Sequence, residues 1–244
     1  MFKMSLPAVI VATSVLAVGQ AGAATILIDS FDTDQRVQDD PSTTSPRQSQ
    51  VAAPEAIGGF RELSVDNRLA AFREGATSLD VSSNVLSFNN EDNVAGLGTV
   101  TYDGASSGGP IDTNGLGGIR FGDRAGAGFL FEVVRVDANL RVTIEAFDTA
   151  GLMASFIAPT VPTGTPFAPV AAFMSDAGFN WDSIGALRFT ADATEISLDG
   201  AISSIEFETA APIPLPASAL LLLGGLGGLA AFGARGRRKQ DVSA

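Results

Sequence analysis

No stretch between Thr25 and Thr209 sustains a helical hydrophobic period over three turns, while short runs of strand composition recur there between Gly, Asn and Asp. The runs are Thr25 to Phe31, Phe60 to Asp66, Ser78 to Val81, Val85 to Asn89, Gly98 to Asp103, Gly118 to Phe121, Phe129 to Val136, Leu140 to Ala146, Met153 to Ala158, Leu187 to Ala191, Glu195 to Leu198 and Ser203 to Thr209. Phe129 to Val136 is apolar except for Glu132 and Arg135, as expected of a strand at the centre of a core. Leu140, Val142, Ile144 and Ala146 alternate with Arg141, Thr143 and Glu145, the period of a half-buried strand. Roughly ten to twelve short strands without helical crossovers predict an all-β fold, a two-sheet antiparallel sandwich of jelly-roll type.

Residues 32–54 interrupt this pattern with Pro41, Pro46 and repeated Ser, Thr and Gln, and read as a long polar loop. A structureless connection of 23 residues is unusual, which leaves room for a short strand inside it. Ala168 to Ser175 comes nearest to a helix, limited by Pro166 and Pro169.

The two ends of the chain are of a different kind. Met1, Phe2 and Lys3 precede 13 uncharged residues from Leu6 to Val18. A helix of that length rises only about 20 Å, short of a hydrocarbon core of about 30 Å, so the run fits a signal peptide better than an anchor. Ala21, Gly22 and Ala23 supply small residues at the spacing signal peptidase favours, placing cleavage after Ala23, or after Ala24 if the site is read one residue later. At the other end, Ala217 to Ala234 is an uncharged, Leu- and Gly-rich stretch of 18 residues, followed by Arg235, Arg237, Arg238 and Lys239. As a transmembrane helix it spans about 27 Å, and the basic cluster is expected to stay cytoplasmic. Residues 1–23, 24–211 and 212–239 are thus expected to be a signal helix, a folded domain and a sorting segment with its transmembrane helix at 217–234.

Immediately before that span stands Pro212, Ile213, Pro214, Leu215, Pro216 and Ala217, in which alternate prolines hold the chain extended, as a protease would bind it. Proline motif, glycine-rich apolar helix and terminal basic cluster together resemble the PEP-CTERM sorting signal, and more narrowly its variant reading Val-Pro-Leu-Pro-Ala, with Ile213 in the place of the valine. The resemblance covers residues 212–239. It implies recognition by an exosortase, a passage through the inner membrane, and delivery of the outer domain to the cell surface or its exopolysaccharide matrix.

Between residues 24 and 216 there are 26 Asp or Glu against 10 Arg and no Lys, a net charge of −16. Nucleic acid is therefore not an expected partner, since binding it depends on neutralising phosphates. Such a domain repels other polyanions unless divalent cations bridge them. The chain has no cysteine and no histidine. Disulfide staples, thiol chemistry, Ser-His-Asp triads and imidazole-based zinc sites are accordingly excluded, while hydrolysis by paired carboxylates is not.

Phe129 to Phe131 with Leu140 to Phe147, and Ile196, Ser197, Leu198 and Asp199 with Ile205, Glu206 and Phe207, are similar to strands of galactose-binding-like jelly rolls. That resemblance implies a structural calcium where the first and last strands meet, with Asp29, Asp32 and Asp34 from the first and Asp199 from the last as hard oxygen ligands. The competing reading of those aspartates is a solvated acidic turn. Trp181, the single tryptophan, is a ligand platform or else a core plug beside Asn180 and Asp182. Glu132 and Glu145 fail as a glycosidase pair, because Glu145 has an outward period while such carboxylates must converge at about 5 to 9.5 Å. The leading expectation is an exported, non-catalytic surface or matrix protein associated with exopolysaccharide. The alternatives are a carbohydrate-binding module, calcium-dependent in one form, and a carboxylate hydrolase of polysaccharides.

Overall fold

Inward apolar side chains at every second position force each strand to offer one face to a partner sheet, and the computed structural model shows how the chain satisfies this. It describes residues 24–40, 47–68, 75–106, 108–122, 125–137, 140–193 and 196–209. The fourteen strands are β1 (Thr25–Asp29), β2 (Gln35–Asp39), β3 (Gln48–Ala52), β4 (Phe60–Asn67), β5 (Thr77–Ser82), β6 (Val85–Asn90), β7 (Gly96–Tyr102), β8 (Gly128–Val136), β9 (Leu140–Asp148), β10 (Met153–Ala158), β11 (Phe167–Pro169), β12 (Met174–Ser175), β13 (Ile184–Ala193) and β14 (Gly200–Glu208). They form two seven-stranded sheets. Sheet I runs β11-β8-β14-β6-β5-β2, with β1 also on β14; sheet II runs β12-β10-β9-β13-β7-β4-β3. Every pairing between these strands is antiparallel, so the expected all-β two-sheet sandwich is what the chain forms.

β14 joins the two ends of the domain. Gly200 to Ile202 pair with β6, and Ile205 to Glu208 pair with β1, whose Thr25 lies opposite Glu208. Among the described residues all strands and the hydrophobic cluster lie between Thr25 and Glu208, so this segment carries its own core. One end of that core is filled with rings. Phe129 touches Phe121, Phe173, Trp181, Phe189 and Phe207 at centroid distances of 5.0 to 6.4 Å, mostly edge-on or tilted. Each such side chain removed from water contributes about 1.5–3 kcal/mol, which supplies stability that no disulfide provides.

Tight turns fall where side chains tolerate them. Ser83 and Asn84, both at positive φ (53° and 62°), close the two-residue hairpin between β5 and β6, the primed turn that matches the twist of its strands. Asp148 organises the β9–β10 turn from a buried position: its Oδ1 accepts from the amides of Ala150 and Leu152, each at 2.9 Å, and its Oδ2 from the amide of Asn180 at 3.1 Å.

The structure departs from the sequence reading in four places. The polar stretch 32–54 holds two strands, β2 and β3, in different sheets; of the inward positions of β2 only Val37 is apolar, and Gln35 and Asp39 are buried through hydrogen bonds. Gly118 to Phe121 makes a single bridge, Ile119 to Ile184, instead of a strand. Leu198 lies before β14, and Ser197 sits at φ 59°, a turn conformation. The stretch nearest to a helix is a single 3-10 turn, Val170–Ala172, between β11 and β12. Among the described residues no helix is long and apolar enough to cross a membrane; the expected signal peptide, 1–23, and the expected transmembrane helix, 217–234, lie outside them.

Candidate functional site

The outer face of sheet II carries polar side chains in register across its strands. One row runs Met174, Ser155, Glu145, Arg188, Thr101, Glu62 and Gln50 from β12 to β3. The next runs Ile157, Thr143, Thr190, Thr99, Ser64 and Gln48. The central members of these rows, with Leu97, form the floor of a groove of about 330 Å³ whose wall includes Gly109 and Ile111. This face is what the outward half of each alternating strand pattern produces, so Arg188 and Glu145 take positions their sequence period dictates.

Arg188 is the centre of the groove. Its Nε donates to Glu145 Oε2 at 2.7 Å, and its guanidinium lies 5.4 Å from the centroid of the Phe147 ring. Held from two sides, the guanidinium lines the groove. Thr99 and Thr190 place hydroxyls 3.5 Å apart beside it. On the other flank, burial pushes the Glu62 carboxyl above its ordinary value; the Gln48 amide and the Gly109 N–H pull it down, while the neighbouring Asp103 pushes it up.

The wall residues Gly109 and Ile111 belong to the segment 108–118. Asp103 shapes its base by accepting from the amides of Ala105 at 3.1 Å and Asp112 at 3.0 Å, and Gln50 donates to the Ala105 carbonyl. Leu116 donates to the Gly185 carbonyl at 3.0 Å. A side chain at Gly185 would put its Cβ 1.6 Å from the Thr113 carbonyl oxygen, so only glycine lets this wall lie against β13.

The expected calcium ligands do not come together. Asp29 is wholly buried and engaged by protein groups: Arg61 Nη1 at 3.0 and 3.2 Å, the Tyr102 hydroxyl at 2.7 Å and the Phe31 amide at 2.7 Å. Asp32 is exposed and accepts from Ser30 and Asn84, and Asp34 is exposed. Asp199 precedes β14 at the end that pairs with β6, while β1 pairs with the other end, and it accepts from the Asn90 amide at 2.9 Å. Among the described residues no three acidic side chains converge as a metal site. Trp181 is 7% exposed, enclosed by Phe129, Phe173, Phe179 and Phe207, and is a core plug with no ring face left for a ligand. Glu132 and Glu145 stand on the outer faces of opposite sheets, back to back. Of Ala21, Ala23 and Ala24, only Ala24 is described, hydrogen-bonded to Thr209. Residues 212–239, with the proline motif and basic cluster, lie outside the described residues.

What the sequence reading missed was the groove itself. Glu62, Thr101 and Arg188 are 126 residues apart at their extremes, and only the strand order β4-β7-β13-β9 makes them neighbours.

No family model matches the chain, and no curated protein matches it. Solved structures with a similar strand arrangement include the family 11 carbohydrate-binding module of a cellulosomal cellulase of Clostridium thermocellum, at 11% identity and a TM-score of 0.39, covering 79% of this chain and 98% of that one. A family 29 carbohydrate-binding module mutant shares 12% identity at a TM-score of 0.31, covering 67% of this chain and 93% of that one. An agarase shares 11% identity at a TM-score of 0.41, with 78% of this chain covering 25% of the enzyme. With TM-scores of 0.39, 0.31 and 0.41, these likenesses carry no argument about ligand, which rests on the groove.

Proposed function

We propose that this protein is an exported, non-catalytic binding module that holds a neutral polysaccharide in the sheet II groove. The observation that carries the reading is the register row Glu145, Arg188, Thr101 and Glu62. It sets an arginine fork, a hydroxyl and two carboxylates side by side, and vicinal sugar hydroxyls both donate and accept at such spacings. Two carboxylates against one guanidinium, in a domain of net charge −16, favour an uncharged glycan over an acidic one.

The same row argues against hydrolysis. Glu62 and Glu145 stand on strands separated by two others, about 14 Å apart at the backbone. Glu145 is also committed to Arg188. A glycosidase pair works at about 5 to 9.5 Å.

The export and sorting part of the proposal rests on the sequence motifs at the two ends. It supplies a setting, outside the inner membrane and beside exopolysaccharide, in which a neutral-glycan module has a ligand.

The test is affinity electrophoresis of residues 24–211 in gels containing neutral β-glucan, galactan or xylan, with alginate as the acidic comparison. Retardation by a neutral glycan that Arg188→Ala weakens about tenfold or more supports the reading. Migration unaffected by every neutral glycan, or an Arg188→Ala variant retained as well as the native domain, removes it.

A further inference from the structure

The sandwich is filled with aromatic rings at one end and hollow at the other. A cavity of about 430 Å³ lies between the sheets, reached by Leu79 and Phe88 from sheet I and by Ile144 and Phe189 from sheet II. Its cause is legible in the inward rows of sheet II. The row Phe156, Ile144, Phe189, Val100 and Leu63 fills its space. The row beside it reads Ala158, Val142, Ala191, Gly98 and Val65; Phe88 and Leu79 of the opposite sheet close over Gly98, but Ala158 and Ala191 are too small to reach across. Across from it, Gly200 and Ala201 of β14 also line the space. Close packing is the norm for protein interiors, and a void of this size forfeits the contacts of its whole lining unless something occupies it.

The cavity reaches the surface where the chain crosses from β10 to β11. Pro159, Thr160 and Pro162 of that crossing are exposed and line the space, together with Phe167, which is 40% exposed. Three prolines stiffen the arch, and Gly164 ties it to β8 through reciprocal bonds with Val133 of 2.7 and 3.0 Å. Inward-facing Val142, Phe156, Ala158 and Ala191 remain only partly buried, as an open mouth requires.

Among the described lining residues the only charged one is Arg135, at the rim. Its guanidinium lies 3.7 Å from Asp199, whose amide in turn donates to Asp137 at 3.0 Å. The Asp199 carboxylate beside the guanidinium disfavours an anionic head group, while Arg135 and Thr160 offer hydrogen bonds to a hydroxyl or ester.

We infer that the inter-sheet cavity binds the unbranched alkyl chain of an uncharged amphiphile, a fatty alcohol or ester, with its polar head at Arg135 under the 159–166 arch. The volume falls within the range of small-molecule pockets, about 300–1,000 Å³, and apolar cavities far smaller take up apolar guests. This site is separate from the sheet II groove and does not depend on what the groove binds.

Dodecanol and dodecanoate, added to residues 24–211, test it by native mass spectrometry and thermal shift. One dodecanol per chain and a raised melting temperature are expected, with dodecanoate binding about tenfold more weakly or worse. Ala191→Leu and, separately, Ala158→Leu extend side chains into the space; both are expected to keep or raise the melting temperature without ligand and to weaken dodecanol binding about tenfold or more. No dodecanol bound by the native domain, or undiminished binding by a folded Leu variant, overturns the site. Dodecanoate binding as tightly as dodecanol overturns the neutral head group.

Discussion

The guanidinium of Arg61 on β4 meets the carboxylate of Asp29 at the end of β1 with Nη1 3.0 Å from Oδ2 and 3.2 Å from Oδ1, and neither side chain reaches solvent. The pair is the hub of a wider network. Arg61 also donates through Nε to Gln35 Oε1 at 2.9 Å and through Nη2 to the Thr33 carbonyl, lies 3.6 Å from Glu55, and stacks over Phe31. Burial pushes the Asp29 carboxyl above its ordinary value; Arg61, the Phe31 amide and Tyr102 pull it back only in part. The carboxylate inferred from sequence to hold calcium therefore holds the first strand to the second sheet.

Removing one partner of such a pair strands the other charge in a dry site, at a cost of about 3–5 kcal/mol. Arg61→Ala is expected to lower the melting temperature of residues 24–211 by about 10 °C or more, and calcium is expected not to restore it. Calorimetry with and without calcium checks both statements. Full rescue by calcium would return Asp29 to the role of a metal ligand.

Glu62 is expected to show a binding residue's conflict with stability. Its native carboxyl is raised above the ordinary 4.5, chiefly by burial. A raised acid contributes stability that is complete below the unfolded value and is lost as pH rises through the native one. Glu62→Gln should thus melt about 1–2 °C higher than the native domain at pH 7 and lose that advantage near pH 4. Melting curves across pH 4 to 7 measure it, and a constant offset at all pH values would contradict the assignment.

Trp181→Ala is expected to cost about 3–5 kcal/mol, because it leaves a cavity among Phe129, Phe173, Phe179 and Phe207. Glycan retention under native conditions should be unchanged, since the ring faces the core and the groove lies on the outer face of sheet II. Denaturant titration and affinity gels separate the two effects.

Gly185→Ala would press a methyl group against the Thr113 carbonyl, 1.6 Å from the ideal Cβ position. The wall segment 108–118 must then lift from β13. Glycan retention should fall by about tenfold, with a smaller change in melting temperature than Arg61→Ala produces. Equal retention would mean that the wall takes no part in binding.

Mass spectrometry of secreted and membrane fractions is expected to find a mature amino terminus at Ala24 or Thr25 and a carboxyl terminus near Pro216. Finding Met1 and Lys239 in every fraction would end the sorting proposal.

Strand existence was legible wherever one face of a strand is apolar and the other polar, as in β9, because burial imposes a period of two directly on the residues. The strand β2 was not legible, since two of its three inward positions, Gln35 and Asp39, are buried by hydrogen bonds that residues distant in sequence supply, and β3 buries none of its side chains fully. The outward position of Glu145 could be read from its period, but not that Arg188 and Thr101 stand beside it. Trp181 carried two readings in sequence, and only the rings packed around it decided between them.

Composition alone excluded disulfides and imidazole chemistry, and local pattern alone pointed to an antiparallel β-domain, because each depends on which atoms are present or on immediate neighbours. Tertiary structure decided that Asp29 pairs with Arg61, that a polar groove crosses sheet II and that one end of the core is hollow. Each of these is set by strand order and register, which bring together side chains dozens of residues apart, and no period along the chain records that order.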